Sequence, residues 1–452
     1  MSFKFPNKTL SHSKSAMRLF SGVLMCIAAG DTLGQAPREQ NEVRAELFYI
    51  KQQVDNPSAL ADDIAGAQEG ESQTEAGALI NGEWSSELNS LVLDYSQSEL
   101  RFEDGNQSDT TVREGGGTWV LGNEHTFYQL TTAHSIRRLQ REAGQASSQL
   151  DETEERSISS VRPLLRARFG AADALALSAN MSDIGFEESV INNSKREGAL
   201  LQYSRGVSPT TGLFITGGVN RVNFEENDNA DYKYTMVNVG FTREQRFFSY
   251  RLSAGMASIS PEIGQSTSSP TANFELISEN SGNRIEFVAD RSISDTSIGN
   301  NNSELFSDEV TFDGDIEEND QIIRSQGSLN WQYANLCRRC SVELGVTWER
   351  SEHLNAEYLD LEQTRADLRV LYRVNRRLDA VFHSQQVDTT FPDPDSTQVD
   401  SARELHSVEF NYALNDMFEL SLFHEAERVE RKGEGDTSVN TSGIELTFVY
   451  QR

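Results

Sequence analysis

No apolar run in this 452-residue chain is long enough to cross a bilayer as a helix. The longest, Leu19–Gly30 (LFSGVLMCIAAG), falls well short of the roughly 20 residues that a spanning helix needs. Hydrophobic residues make up 37% of the chain, too few for a bundle of membrane helices. Positive charge is also scarce: 40 Lys and Arg against 70 Asp and Glu leave a net charge of −30, which argues against a nucleic-acid partner. Cysteine is nearly absent, with three in all. The segment LCRRC places Cys337 and Cys340 in C-x-x-C spacing. Structural zinc wants about four ligands, and there is no second cysteine pair. The seven histidines (12, 125, 134, 353, 383, 406, 424) are scattered. The pair reads as a local disulfide across a tight turn or as two inert thiols, and no metal or other cofactor is expected.

The short apolar run fits export. Lys14 and Arg18 precede it, small residues follow it, and cleavage points lie after Gly30 or Ala36. A basic segment, an apolar core and a small-residue exit make a secretory signal over residues 1–36. Met25 before Cys26 argues against a lipoprotein anchor. Residues 37–80 are rich in Gln, Glu and Ala, with a patchy helical period through Val43–Val54. They read as a periplasmic extension, partly helical or disordered. From 81 to 452 alternating segments of 10–15 residues follow one another, and none has the pattern of an amphipathic helix.

Short turns recur near Gly122, Gly170, Ser208, Glu244, Gly282, Cys337, Asn375 and Asn415. Gly170 to Ser208 is 38 residues, and the steps to Glu244 and Gly282 are 36 and 38. Such a period is two strands, a tight turn and a longer loop. The opposite loops are long and acidic, the longest being SDTSIGNNNSELFSDEVTFDGDIEEND. Transmembrane β-barrels have this polarity, with short periplasmic turns and long outer loops. Eight turns join sixteen strands. An entering strand near Glu83–Ser96 and a closing one near Thr441–Tyr450 bring the expected total to 18, with 16 as the fallback and both termini periplasmic.

Period two then sorts the faces. Ile444, Leu446, Phe448 and Tyr450 share one face, as do Val408, Phe410, Tyr412 and Leu414. Aromatics beside the turns, Phe169, Tyr203, Phe214, Tyr250, Tyr372, Tyr412 and Phe418, form the expected girdle at one membrane interface. The opposite face carries Arg251, Glu343, Arg369, Arg373, Glu409, Glu419 and Glu445, the expected pore lining. Barrels of 16–18 strands leave room for water. The long loop bears Asp308, Glu309, Asp313, Asp315, Glu317, Glu318 and Asp320. Folded into the mouth, it would constrict the lumen and favour cations. It would also bind Ca²⁺ loosely towards lipopolysaccharide, although its spacing is not that of an EF-hand. A solvated loop is the plainer alternative.

The hairpin LQYSRGVSPTTGLF, the stretch DYKYTMVNVGFTREQRFFSYRLSAG (231–255) and the overall strand rhythm bear a likeness to a known group. Over roughly residues 80–452 the chain resembles the uncharacterised outer-membrane β-barrel proteins associated with PEP-CTERM/exosortase and exopolysaccharide gene clusters. The resemblance implies exopolysaccharide or export-machinery components as partners, beside outer-membrane lipid and lipopolysaccharide. The C-terminus departs from the usual barrel pattern, since Gln451 and Arg452 follow the last aromatic, Tyr450.

Covalent chemistry finds no foothold. Ser135 adjoins His134, but no G-x-S-x-G exists. Paired carboxylates such as Glu317–Glu318 are solvated loop charges, and GGG at 115–117 precedes a strand, so no phosphate cradle is implied. The expected function is a passage for polar solutes or for an extracellular polysaccharide. A closed structural or surface-interaction barrel is the alternative, and an outer-membrane hydrolase a remote third.

Overall fold

Strict alternation leaves each of these segments with one apolar face, and only a sheet closed on itself leaves no edge to protect. The computed structural model describes residues 42–56, 70–103, 108–123, 125–140, 153–226, 230–295, 320–393, 396, 399–433 and 435–451. Among them the chain forms a closed antiparallel barrel of twenty strands. The first ten are β1 (Glu42–Val54), β2 (Glu71–Ser85), β3 (Asn89–Phe102), β4 (Thr110–Leu121), β5 (Tyr128–Gln140), β6 (Thr153–Phe169), β7 (Asp173–Phe186), β8 (Ser194–Ser208), β9 (Thr211–Phe224) and β10 (Tyr232–Glu244). The rest are β11 (Phe248–Pro261), β12 (Thr267–Asn280), β13 (Asn283–Asp295), β14 (Gln321–Cys337), β15 (Cys340–His353), β16 (Leu361–Arg373), β17 (Leu378–Thr390), β18 (Ser401–Ala413), β19 (Phe418–Arg431) and β20 (Thr437–Gln451). Each pairs with its chain neighbours, and β1 closes on β20, with Leu47 opposite Phe448.

Two expectations need correction. The count is twenty, not eighteen, and the barrel starts at Glu42, inside the segment read as an extension. One further turn, at residues 86–88, bears no turn signature, since Ser-Glu-Leu carries no glycine, proline or asparagine. The expected entering strand Glu83–Ser96 is therefore the end of β2 and the start of β3. β1 was missed because Phe48 and Ile50 break the alternation of Val43, Ala45, Leu47 and Tyr49. Both corrections preserve an even number and leave β1 and β20 with their free ends at the tight-turn pole. Residues 1–36 lie outside the described part.

The eight expected turns are all present. Gly282 lies at φ 87°, the left-handed region that a two-residue hairpin turn requires. Cys337 and Cys340 face each other across the β14–β15 turn as a disulfide, with Cα atoms 5.1 Å apart.

The outer wall is apolar through its middle: Leu47, Leu201, Ile215, Val239, Leu252, Val346, Phe410 and Leu446 are all exposed there. A continuous exposed band of that kind is stable against lipid and not against water. Near the turns the outward positions are aromatic, with Trp84, Tyr128, Phe169, Tyr203, Phe248, Tyr372, Tyr412, Phe418 and Tyr450 exposed and Tyr250 half-buried. Phe214 is the exception to the expected girdle. It is buried, its neighbours Leu213 and Ile215 take the outward positions, and its ring turns into the lumen.

Candidate functional site

The inward faces divide the lumen into two halves. Towards the turns, Arg251, Glu343, Arg369 and Arg373 are exposed, and Glu409, Glu419 and Glu445 are half-buried. All seven lie on the inward parity of their strands. Glu343 sits opposite Arg369 in the β15–β16 register. Arg373 pairs with Asp379 at 3.4 Å. The carboxylates of Glu46, Glu75 and Glu409 lie close enough to Glu445 to repel it, which makes the β18–β2 sector of the wall acidic. Charged groups at this density stay water-exposed only where water has room, so this half of the lumen is wet.

Towards the long loops most inward positions are buried, Phe102, Ile158, Ile184, Val222, Ile259, Leu361, Val387 and Val429 among them, while those of β4 are half-buried. Ion pairs add to this packing. Arg403 Nε lies 2.6 Å from Glu427. Arg324 is bound to Glu349, and Asp367 takes Arg365 at 2.7 Å and Gln385 at 2.9 Å. Among the described residues the lumen is thus polar and largely exposed towards the turns and packed towards its loop end.

Much of that packing comes from the stem of one hairpin. At the loop end of β13, Ser292, Ile293, Ser294 and Asp295 are all buried, so neither face of that segment looks outward. Asp320, Ile322 and Arg324 on the returning limb are buried too. Ile293 packs on Val222, Phe224, Tyr232, Tyr234, Ala257 and Ile259, the inward side chains of β9–β11. Asp295 accepts from Arg196 Nη2 of β8 at 2.9 Å and from the Tyr232 hydroxyl of β10. A contact from β13 to β8 spans five strands, and it exists only because the hairpin stem dips into the mouth. The constricting loop expected from the sequence belongs to this hairpin. Of its acidic residues, Asp308, Glu309, Asp313, Asp315, Glu317 and Glu318 lie outside the described residues. Asp320 is described, and its carboxylate braces the β15–β16 loop. It accepts from the backbone of Asn355 and Ala356, both at 3.0 Å, and from Asn355 Nδ2 at 2.6 Å. Burial acts to raise its pKa, and the hydrogen bonds from His353, Asn355 and Ala356 outweigh that, leaving the carboxyl below its ordinary value.

Below the hairpin, against β6 and β8–β13, lies a cavity of about 560 Å³. Its wall carries three arginines (162, 251, 291) and three carboxylates (Glu275, Glu286, Asp290), with Gln202, Asn238, Thr271 and Asn273 between them. Phe214 also lines it, lying over Gly240, with the Arg251 guanidinium 4.7 Å from the ring centroid. A Cβ at Gly240 would overlap that ring. The same arrangement recurs twice: Phe48 over Gly77 and Phe423 over Gly443. Each pairs an inward aromatic with a glycine on the next strand, filling a space that a side chain there would contest.

A second device has a signature in the sequence that the expectations above do not include. At four loops the residue seven places beyond a strand's last residue turns its side-chain oxygen back to that residue's backbone N–H. Asp109 takes Phe102 at 3.2 Å, Asn193 takes Phe186 at 2.7 Å, Asp231 takes Phe224 at 2.7 Å and Asp360 takes His353 at 2.7 Å. Asp400 clasps Phe391 in the same way at 2.9 Å across a longer loop. The signal is the repeat FEDGNQSD, FEESVINN, FEENDNAD.

The hydrolase reading loses its dyad. Adjacent residues of a strand point to opposite faces, and His134 is bonded to the Tyr95 hydroxyl at 2.8 Å on the outer wall, away from Ser135.

No family model matches the chain, and no curated protein matches it. Among solved structures it is similar to OccAB4 of Acinetobacter baumannii, with 11% identity and a TM-score of 0.36 over 91% of this chain and 98% of that one. It is similar to OpdK of Pseudomonas aeruginosa, solved with vanillate, with 10% identity and a TM-score of 0.38 over 91% and 99%. The siderophore receptor PirA of A. baumannii gives 7% identity and a TM-score of 0.44 over 92% and 81%. At such values the likeness is one of β-barrel architecture alone.

Proposed function

We propose that this protein is an outer-membrane channel for polar solutes. The observation that carries the reading is the turn-side half of the lumen, where charged residues of β11, β15 and β16 stay exposed and those of β18–β20 are half-buried inside an apolar-walled barrel. The tight-turn pole, with both chain ends of the barrel, faces the periplasm in this reading, as short turns do in such barrels. The loop-end packing makes the described state a closed one, and passage then requires the β13–β14 stem to move. The acidic sector around Glu409 and Glu445 favours cations. An exopolysaccharide chain is the cargo suggested by the resemblance, supported by the polar lining and by nothing more specific.

The packed mouth favours a second reading, a permanently closed structural barrel. Single-channel conductance of the refolded protein in a planar bilayer separates the two. Discrete openings with a reversal potential of the cation-selective sign support the channel. Insertion without openings across ±150 mV, on the order of the largest potentials a bilayer tolerates, refutes it; the charge work at 100 mV is about 2.3 kcal/mol per elementary charge.

A further inference from the structure

The barrel wall is not paired along its whole height. β12 and β13 pair from the turn, Asn280 opposite Asn283, up to Ala272 opposite Arg291. Beyond that point the two strands continue with other partners. β12 runs on to Thr267 beside β11, and β13 runs on to Asp295 beside β14 as it dips into the mouth. Thr267–Thr271 and Ser292–Asp295 therefore form two sides of a seam with no ladder between them.

The seam has the composition of a managed edge. Pro270, which has no N–H to offer, stands on β12 among Thr267, Ser268, Ser269 and Thr271, where a free edge is safest. The β4–β5 ladder also stops short of the loops, at Gly115 opposite Ile136. There, however, Arg113 reaches across to Glu155 of the β5–β6 hairpin at 3.0 Å and ties the gap.

The lumenal cavity reaches the seam, because Ala272 and Arg291, the last pair, and Thr271 and Ser292, the first positions beyond the β12–β13 ladder, all line it. Height along the wall follows from strand geometry. Ala272 is eight residues above Asn280. At about 3.3 Å per residue and a tilt of about 40°, that is roughly 20 Å above the turns, close to the top of an apolar band about 25 Å tall. The wall chemistry agrees, since the outward positions change from Ala289 and Leu329 to Arg291 and Ser325, which bond each other at 2.7 Å.

We propose that this seam is a lateral portal through which the polar head of a zwitterionic amphiphile enters the cavity from the outer leaflet, its chain remaining against the outer face of β12 and β13. A polar solute has no need of an opening at the headgroup level, whereas an amphiphile is already held there. The cavity suits a zwitterion because it sets the inward guanidinium groups of Arg162 and Arg251 against the carboxylates of Glu275, Glu286 and Asp290, so neither sign of head charge goes unanswered. The inference rests on the barrel lying in a membrane, as proposed above, and not on its conducting ions.

The test uses the full barrel in lipid vesicles with a phosphocholine amphiphile carrying a photoreactive diazirine in its headgroup. Wild-type protein should be labelled at Asn238 and Tyr234, inside the cavity, at least tenfold above inward residues on β16–β18. Thr271→Cys with Ser292→Cys places a disulfide at the next register pair and closes the seam. Oxidation should abolish cavity labelling and reduction should restore it, with wild-type protein given the same reductant as the control for Cys337–Cys340. Ala272→Trp, an outward position that leaves the inner packing untouched, should reduce labelling in the same way if the disulfide does not form. Labelling that is uniform around the lumen, or that survives both seam variants, overturns the portal, since the probe would then have entered from the turn end. Conductance recorded on the same vesicles reads the channel separately: its absence with seam-dependent labelling intact would refute the channel and leave the portal standing.

Discussion

Replacing Asp231 with alanine should destabilise the barrel by about 1.5–3 kcal/mol, the range for losing a hydrogen bond to a charged acceptor while leaving a buried donor unpaired. The backbone N–H of Phe224 points at Asp231 Oδ1 across 2.7 Å, and both residues are buried, Phe224 at 4% exposure and Asp231 at 8%. Water cannot replace the lost acceptor without opening the cluster in which Phe224 packs with Tyr232, Ile259 and Ile293. Asp231→Asn keeps an oxygen in the same place and should cost less than about 1 kcal/mol, since it loses charge assistance but not the bond. The chain itself makes this exchange, with Asn193 performing the same task for Phe186. Reversible urea unfolding in lipid vesicles, followed by tryptophan fluorescence, measures all three proteins. A drop of 1.5–3 kcal/mol changes the unfolding equilibrium about 10- to 150-fold at 25 °C, well outside experimental scatter. If Asp231→Ala unfolds within 0.5 kcal/mol of wild type, roughly the size of an ordinary surface effect, the clasp is a by-product of loop geometry and not a source of stability.

Gly240→Val should destabilise by about 1–3 kcal/mol through overpacking against Phe214. Phe214→Ala in the same chain should recover most of that loss, a coupling that a double-mutant unfolding cycle detects. Asp295→Asn weakens the hold of Arg196 on the hairpin stem and should raise the open probability at least twofold in single-channel records; an unchanged closed state would mean that the stem is held elsewhere. Asp320 supplies a pH dependence. Its folded pKa lies below the ordinary value, so its contribution is complete above the ordinary carboxylate range and is lost as pH falls through the depressed folded value. Protease cleavage within residues 354–360 should accelerate over that acidic window, and Asp320→Asn should flatten the profile. Asp360, on the same loop, is held above its ordinary value by burial, which outweighs the hydrogen bond from His353. Its ionisation therefore costs stability as pH rises, and Asp360→Asn isolates the two effects.

Most of the architecture could be read from period two and from turns that need glycine, asparagine or a short polar pair. What escaped has a common cause. Phe48 broke the alternation of β1 and Phe214 was assigned to the outer girdle, and in both cases an inward aromatic covers a glycine on the next strand. Alternation records hydrophobicity one strand at a time, whereas these phenylalanines are explained by what the neighbouring strand omits. Gly77 and Gly240 carry half of the message, and they lie 29 and 26 residues away in sequence. The missed turn at residues 86–88 is the converse case, a reversal made without a residue that demands it.

The lumen was less legible because its chemistry depends on which residues stop pairing. Arg251, Glu343, Arg369, Arg373, Glu409, Glu419 and Glu445 could be placed on the inner face from parity alone. The burial of both faces at Ser292–Asp295 could not, since a stretch reading SISD is polar and apolar in turn like any exposed strand. Its register ends where β12 keeps its ladder with β11, and Pro270 is the one local mark of that change. A proline in a transmembrane strand forfeits a ladder donor. At a fully paired position that omission would leave the opposing carbonyl unanswered, whereas beside a seam there is no opposing carbonyl to answer. The residue that looks least suited to a barrel wall is therefore the one that indicates where the wall comes apart.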